Sequence, residues 1–273
     1  MAGQRQVPVA LTIAGSDCSA GAGAQADLKT FNALGVYGLT AITCVVAETP
    51  GRVQSIHAVP PALVAEQVTL LLDSFPVAAI KTGLLYSGEI VARIAALLRE
   101  RNAHGGRQIP LVIDPVMVAT SGDALLEKEA IAIYERELFP LATVITPNLE
   151  EASSLLGRPI ADLETMREAG RELADRYGVP VLLKGGHLAG EEALDLLFTE
   201  GTTAEFSAPF TRDVQTHGTG CTYSAAIAAE LARGASLAES VARAKVYVTA
   251  AIARHFAWTK ADGGEIHALN HSA

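Results

Sequence analysis

The 273-residue sequence is short of aromatic residues, of cysteine and of positive charge, and each shortage argues against a class of function. Aromatic residues make up 5%, and acidic residues outnumber basic ones by 30 to 21. A nucleic-acid binder with a basic face and stacking rings is therefore disfavoured. No apolar run approaches the roughly 18–20 residues of a membrane span, so we expect no membrane association. The three cysteines, Cys18, Cys44 and Cys221, are widely spaced, which disfavours a disulfide framework and predicts a reducing, cytoplasmic location.

Hydrophobic residues are plentiful, at 49%, and fall into short runs that alternate with longer helical patterns. Several short runs are apolar throughout, which is typical of parallel strands covered by helices on both faces. The order predicts an α/β fold: a three-layer α/β/α, doubly wound, mostly parallel sheet. We predict strands at 7–13, 40–47, 78–82, 111–114, 144–146, 181–184 and 194–198. Helices are predicted at 23–34, 62–74, 89–102, 126–137, 149–156, 166–177, 221–233 and 237–255.

The remaining segments give little sign of further domains. Residues 199–210 lack a helical pattern and are predicted to form a hairpin or an edge segment. No linker, repeat or charge block interrupts the chain, so residues 1–273 are expected to form one domain with a polar tail at 261–273.

A glycine-rich loop follows the first predicted strand and precedes the first predicted helix. Gly21, Gly23 and Ala26 match the G-x-G-x-x-A pattern of dinucleotide-binding folds, and Glu48 follows at the end of the next strand. In that fold the first glycine lies in the tight turn directly after the strand, whereas about seven residues separate Ile13 from Gly21. The spacing favours a loop that covers a substrate, with a dinucleotide site and a plain flexible loop as alternatives.

A second glycine-rich stretch, at 216–221, opens a long helix. Gly218 and Gly220 would let the backbone approach a ligand, and the N–H groups of the first helical turn would face an anion. The Walker pattern G-x-x-x-x-G-K-S/T is absent, so phosphate binding of the P-loop kind is excluded. Cys221 lies where a helix N-terminus would lower the pKa of a thiol, although a small packing residue is an equal alternative.

Charged and polar residues occur at the ends of several predicted strands, where a parallel sheet places its binding site. They are Asp17, Glu48, Lys81, Asp114, Asn148 and Lys184. Simpler explanations exist: Lys81 and Asp27 suit salt bridges, and Asn148 with Glu151 suits a helix cap with an acidic first turn. These alternatives stay open on spacing alone.

Taken in order, six stretches resemble the bacterial hydroxymethylpyrimidine/phosphomethylpyrimidine kinases of thiamine biosynthesis, within the ribokinase-like superfamily. The stretches are 11–17 (LTIAGSD), 21–31 (GAGAQADLKTF), 114–117 (DPVM), 145–148 (ITPN), 183–187 (LKGGH) and 216–221 (THGTGC). Each is only suggestive alone, but their order along nearly the whole chain is specific. The resemblance implies a ribokinase-like fold, ATP as co-substrate, Mg²⁺ and a homodimer.

The resemblance also implies roles for particular residues. The anion hole would comprise Gly218, Thr219 and Gly220, with Cys221 as the base that deprotonates the hydroxymethyl group. ATP would contact Lys184, Asn148 and Thr216, and Mg²⁺ would lie near Glu151 and Asp114. The pyrimidine pocket would be lined by Gly15, Ala22, Asp27, Glu48, Leu84 and Val116.

The implied reaction is the ATP-dependent phosphorylation of 4-amino-5-hydroxymethyl-2-methylpyrimidine and of its monophosphate. A pyridoxal or pyridoxine kinase of the same superfamily is the nearest alternative. A dinucleotide-dependent oxidoreductase and a non-catalytic ligand-binding paralogue are alternatives of a different class.

Two positions depart from the family pattern. Where the family has Ala-Gln-Asn-Thr, this chain has AETP at 47–50, so Glu48 replaces the glutamine that recognises the pyrimidine. An ionised glutamate cannot donate a hydrogen bond to a ring nitrogen. Either the ring is protonated, or Glu48 carries the proton, or the substrate differs. Leu84 replaces a common methionine, a nearly volume-neutral change.

Overall fold

The computed structural model describes residues 6–103, 108–117, 128–186, 192–211, 214, 217–261 and 263–273, and its centre is a nine-stranded sheet. The strands are β1 (Val9–Asp17), β2 (Tyr37–Thr49), β3 (Arg52–Ala58), β4 (Val77–Thr82), β5 (Leu111–Ile113), β6 (Val144–Ile145), β7 (Val181–Lys184), β8 (Glu192–Thr199) and β9 (Thr202–Pro209). Their spatial order is β3-β2-β1-β4-β5-β6-β7-β8-β9. Strands β2 to β7 of that row pair in parallel, whereas β3, β8 and β9 add antiparallel edges. The predicted mostly parallel sheet is confirmed.

Helices cover both faces of this sheet. They are α1 (Gly23–Ala33), α2 (Pro61–Ser74), α3 (Gly88–Ala103), α4 (Lys128–Ile133), α5 (Leu149–Leu156), α6 (Leu163–Tyr177), α7 (Thr219–Ala232) and α8 (Leu237–Ala253). A π-helical turn, Tyr134–Leu138, and a 3₁₀ turn, Phe139–Leu141, follow α4. Among the described residues, no helix combines the length and the apolar character that crossing a membrane requires.

The pleat of the strands divides the core into two clusters. Leu11 and Ile80 belong to the cluster under α2, α3, α5 and α6, whereas their neighbours Ala10 and Ala79 belong to the cluster under α1, α7 and α8. Alternate side chains of a strand point to opposite faces, so a strand that is apolar throughout serves both layers. The three-layer prediction is confirmed.

Small buried residues allow the N-terminus of α7 to lie close to the carboxyl edge of the sheet. The run Ala225–Ala229 is fully buried, and the alanines of the facing strands are equally buried. A helix that is apolar all round and poor in bulky side chains can lie close to a sheet. This packing brings the second glycine-rich stretch next to the strand ends.

Several boundaries differ from those predicted. Strand β1 continues to Asp17 because, after a bulge, Ser16 pairs with Val45 and Asp17 with Val46. The prediction missed β3, a largely exposed edge strand rich in polar residues, and the hairpin of β10 (Phe256–Thr259) and β11 (Glu265–Ala268), of which β11 lies in the predicted polar tail. The predicted edge hairpin at 199–210 is confirmed by β9. The first residues of the predicted helix at 126–137 lie outside the described residues.

Candidate active site

One cavity lies where the carboxyl ends of β1, β2, β4, β5 and β7 meet the N-termini of α5 and α7. Its apolar or small lining consists of Ala14, Gly15, Ala22, Gly23, Val46, Gly83, Leu84 and Val116. Its polar lining includes Asp17, Glu48, Lys81, Asp114, Asn148, Glu151, Lys184, His217, Gly218, Gly220 and Cys221. Of the predicted site residues, Asp27 and Thr219 are not part of the lining, and Thr216 lies outside the described residues.

A lysine and two carboxylates form the most charged part of the cavity. Lys184 Nζ lies 2.9 Å from Asp114 Oδ1, and both side chains are nearly buried. Burial would lower the pKa of Lys184, but the carboxylates of Asp114 and Glu151 raise it above its ordinary value. Burial raises the pKa of Glu151 to about 8, with Lys184 opposing the shift and Asp114 adding to it. An ammonium and two carboxyl groups therefore face the same space.

Glu151 reaches this space through a helix cap. Asn148 Oδ1 accepts the N–H of Glu151 at 2.8 Å, and Glu151 Oε2 accepts the N–H of Asn148 at 2.8 Å, a reciprocal capping box at the start of α5. The capping interpretation of this pair is confirmed, and it does not compete with a binding role because both residues also line the cavity.

The turn before α7 fits tightly against the first glycine-rich loop. Gly218 has φ +82, and a Cβ at that position would lie 1.9 Å from the carbonyl oxygen of Gly21. A Cβ at Gly220 would lie 3.1 Å from Lys184 Nζ. Thr219 is the first residue of α7. The N–H groups at this helix end and the Lys184 ammonium therefore converge on one place, which suits an anion.

The predicted lowering of the Cys221 pKa is wrong. Burial raises the pKa of this thiol to about 11, and the opposing charge of Lys81 and the N–H of Gly23 are outweighed. Asp27 and Asp114 raise it further. The helix N-terminus favours a thiolate only where desolvation does not cost more.

Lys81 and Asp27 form a fully buried ion pair beneath the cavity. Lys81 Nζ lies 2.8 Å from Asp27 Oδ2, and Thr12 Oγ1 donates to the same oxygen at 2.5 Å. The salt-bridge interpretation is confirmed. Lys81 lines the cavity while Asp27 lies behind it, so the role of Asp27 in contacting a pyrimidine stays a prediction.

Small residues and a carboxylate shape the other part of the cavity. A Cβ at Gly15 would lie 2.8 Å from Cys44 Sγ and 3.5 Å from Leu84, so the wall is closely packed there. Glu48 is half-buried, and its carboxylate lies within 4.8 Å of ligand atoms of Asp17 and His217. The strand pattern predicts Asp17 only as one of the polar side chains at the strand ends, and no pattern assigns a role to His217. Their signals were an acidic residue at a strand end and a histidine directly before the second glycine-rich turn.

The carboxyl edge of this doubly wound sheet holds an anion cradle, a lysine and two carboxyl groups. These features define a class, the phosphotransferases that act on a small hydroxylated substrate. The family model for phosphomethylpyrimidine kinase matches residues 17–265. The chain belongs to the phosphomethylpyrimidine kinase family. Membership removes the dinucleotide-dependent oxidoreductase alternative.

The relatives agree with this membership. A hydroxymethylpyrimidine/phosphomethylpyrimidine kinase of Rhizobium meliloti is 48% identical over 89% of this chain and 90% of its own. The thiamine biosynthesis bifunctional protein ThiED of Geobacter sulfurreducens is 47% identical over 89% of this chain, which spans about half of that longer protein. A solved ADP complex of Bacillus subtilis pyridoxal kinase has a TM-score of 0.87 and 37% identity, with 98% of each chain covered.

Proposed function

We propose that this protein transfers the γ-phosphoryl group of ATP to the hydroxymethyl oxygen of hydroxymethylpyrimidine, and then phosphorylates the resulting monophosphate. The proposal takes its substrate from the names of its relatives. One observation carries the proposal: a single cavity contains both the anion cradle at the start of α7 and a closely packed, largely apolar pocket. Such a cavity can hold a flat ring at one end and a phosphate chain at the other.

The chain's own groups would act mainly by position and charge. Phosphoryl transfer requires in-line alignment and the cancellation of spreading negative charge. The N–H groups at Gly218 to Cys221 and the Lys184 ammonium would provide that cancellation at fixed places. Cys221 would accept the proton of the substrate hydroxyl as a thiolate, a form that burial disfavours and that the charge of Lys81 offsets only in part.

The donor set near Lys184 suits Mg²⁺. The carboxyl groups of Asp114 and Glu151 offer hard oxygen atoms to the same space, and Mg²⁺, which would favour the ionised form of Glu151, is commonly held by one or two carboxylates together with substrate phosphates. The ion would supply further neutralisation of phosphate charge. If Glu151 is a ligand, Glu151→Gln should raise the Mg²⁺ concentration for half-maximal activity. An unchanged Mg²⁺ titration would remove Glu151 from this role.

A pyridoxal or pyridoxine kinase is the second candidate. The observation that favours it is the close structural likeness to Bacillus subtilis pyridoxal kinase over nearly the whole of both chains. Both kinds of substrate carry a hydroxymethyl group on a nitrogen-containing aromatic ring, so the phosphate end of the cavity would serve either. The apolar end, with Glu48, would decide between them.

We also propose that the chain forms a homodimer. The edge strand β3 and the exposed Phe256 and Trp258 offer surface for a second copy. Light scattering during gel filtration should give twice the mass of 28.5 kDa, whereas a monomer mass would contradict the proposal.

Product identity tests the proposed reaction. The protein is incubated with ATP, Mg²⁺ and hydroxymethylpyrimidine and followed by ³¹P NMR, with Glu66→Gln on the exposed face of α2 as a matched control. We expect a phosphomonoester signal and then a diphosphate ester in both proteins, and neither signal in Cys221→Ala. The absence of any phosphorylated pyrimidine would contradict the proposal, and would agree with a non-catalytic paralogue.

A further inference from the structure

Three titratable side chains meet at the pyrimidine end of the cavity. Asp17 ends β1, Glu48 lies near the end of β2, and His217 directly precedes the glycine turn of α7. One ligand atom from each lies within 4.8 Å of the others. Asp17 and His217 are buried and Glu48 is half-buried. The surrounding lining, which includes Val46 and Leu84, is apolar, so this group is the polar feature that a flat ring would meet there.

The Asp17 carboxylate acts only as an acceptor. Its Oδ1 accepts the N–H of Ser19 at 2.7 Å, and its Oδ2 accepts Ser19 Oγ at 2.9 Å and the N–H groups of Gly21 at 3.1 Å and Ala22 at 2.8 Å. His217 Nε2 lies 3.1 Å from the same Oδ2. Burial opposes ionisation, but these hydrogen bonds hold the pKa of Asp17 below its ordinary value. Since an ionised carboxylate has no hydrogen to offer, His217 Nε2 must carry the shared hydrogen.

The fixed charge of Asp17 acts on Glu48. A carboxylate disfavours a second negative charge nearby, so a neighbouring carboxyl group keeps its proton more readily. Burial raises the pKa of Glu48, Asp17 raises it further, and His217 opposes both. Cys18 and Cys44 also face Glu48: Cys18 Sγ lies 3.2 Å from its carbonyl oxygen, and burial keeps Cys44 a neutral thiol by raising its pKa to about 11.

The lysines of the cavity have other partners. Lys81 pairs with Asp27, and Lys184 pairs with Asp114. Among the ionisable side chains of the described residues, Asp17 and His217 are therefore the ones that act on the protonation of Glu48.

We propose that Glu48 binds the substrate ring with one proton shared between its carboxyl group and a ring nitrogen, and that the Asp17–His217 pair is the positioning device that holds Glu48 in this state. The inference rests on the proposed function. A carboxylic acid accepts from an amino group through its C=O and donates through its O–H to the adjacent ring nitrogen. The ligand class is therefore an aromatic ring that carries an amino group beside a ring nitrogen. When Glu48 is ionised in the free protein, the shared proton is taken from solvent on binding, and no covalent bond to carbon or phosphorus changes.

His217 also joins the two glycine loops. A Cβ at Gly21 would lie 2.9 Å from His217 Cδ2, and a Cβ at the next residue, Gly218, would lie 1.9 Å from the carbonyl oxygen of Gly21. The hydrogen bond between His217 and Asp17 thus connects the group beside the Glu48 carboxyl with the start of the anion cradle. A positioning role of this kind predicts that a side chain able to donate to Asp17 will replace histidine better than an apolar one.

Proton uptake on substrate binding tests the inference. Hydroxymethylpyrimidine binding is measured by titration calorimetry from pH 6 to pH 9, in two buffers with different ionisation enthalpies. For the wild type we expect uptake approaching one proton at the alkaline end, with Kd rising by about tenfold per pH unit above the pKa of the free carboxyl group. Glu48→Gln should bind with no uptake and a flat pH profile, whereas Glu66→Gln should behave as the wild type. No uptake by the wild type at pH 9, or equal uptake by Glu48→Gln, would overturn the inference.

Two histidine variants test the positioning role. His217→Gln keeps a donor towards Asp17 and should retain the pH profile of kcat/KM, whereas His217→Leu should shift it and lower kcat/KM. Equal profiles in the two variants would overturn the role of His217. If wild-type protein does not turn over hydroxymethylpyrimidine at all, the proposed function fails; turnover without proton uptake contradicts the shared proton alone.

Discussion

Replacing Gly218 by alanine tests the contact between the two glycine loops. The residue has φ +82, a conformation that costs an L-residue roughly 1–2 kcal/mol. The new Cβ would also lie 1.9 Å from the carbonyl oxygen of Gly21, and ordinary contact begins at 3.4 Å. The loops must therefore move roughly 1.5 Å apart. A displacement of about 1 Å can cost about 100-fold in rate, so we expect kcat to fall by about that factor.

Gly234 provides a matched control at the other end of α7. It has φ +89, and a Cβ there would meet nothing within 4 Å. Gly234→Ala should carry the conformational cost alone and lower Tm by about 2–4 °C per kcal/mol, with kcat unchanged. Thermal unfolding and steady-state ATP consumption are measured for both variants. A wild-type kcat in Gly218→Ala, or an equal loss of kcat in Gly234→Ala, would refute the reasoning.

Three further predictions concern buried groups. Cys221→Ser should lower kcat at least about 100-fold with little change in the KM for ATP, since its hydroxyl ionises less readily than a thiol; a wild-type kcat would contradict proton acceptance by sulfur. Lys81→Met should destabilise the protein by about 3–5 kcal/mol in urea unfolding because it leaves Asp27 buried without its partner, and adding Asp27→Asn should recover part of that loss; no recovery would refute the explanation. Burial lowers the pKa of His271 to about 4, so the unfolded chain takes up the proton first and stability falls between pH 6.5 and pH 4. His271→Gln should remove up to about 3 kcal/mol of that pH dependence. Identical curves of unfolding free energy against pH in the wild type and the variant would contradict this prediction.

The core layers could be predicted because they follow from the pleat. A strand such as β4 is apolar at successive positions, and only a sheet covered on both faces can bury such a strand. The edge strand β3 could not be predicted in this way because its side chains are largely exposed and polar. Its position depends on pairing with β2 across a tight turn, which side-chain periodicity does not report.

Much of the site could also be predicted, since the carboxyl ends of parallel strands meet at one edge. Lys184 and Asp114 are 70 residues apart in sequence and 2.9 Å apart in space for this reason. The protonation of the site could not be predicted. The position of Cys221 at a helix N-terminus indicated a lowered pKa, but the pKa depends on burial and on Asp27 and Asp114, which only the folded arrangement brings near.

The central claim is that the phosphate end of the cavity acts on an aminopyrimidine bound at the Glu48 end. Steady-state ATP consumption with hydroxymethylpyrimidine, its monophosphate, pyridoxine and pyridoxal, each over a range of concentrations, tests it most directly. We expect kcat/KM to be highest for the two pyrimidines, and Glu48→Gln to keep that order. Turnover of pyridoxine and pyridoxal alone would contradict the claim and would place the error in the ring-binding pocket.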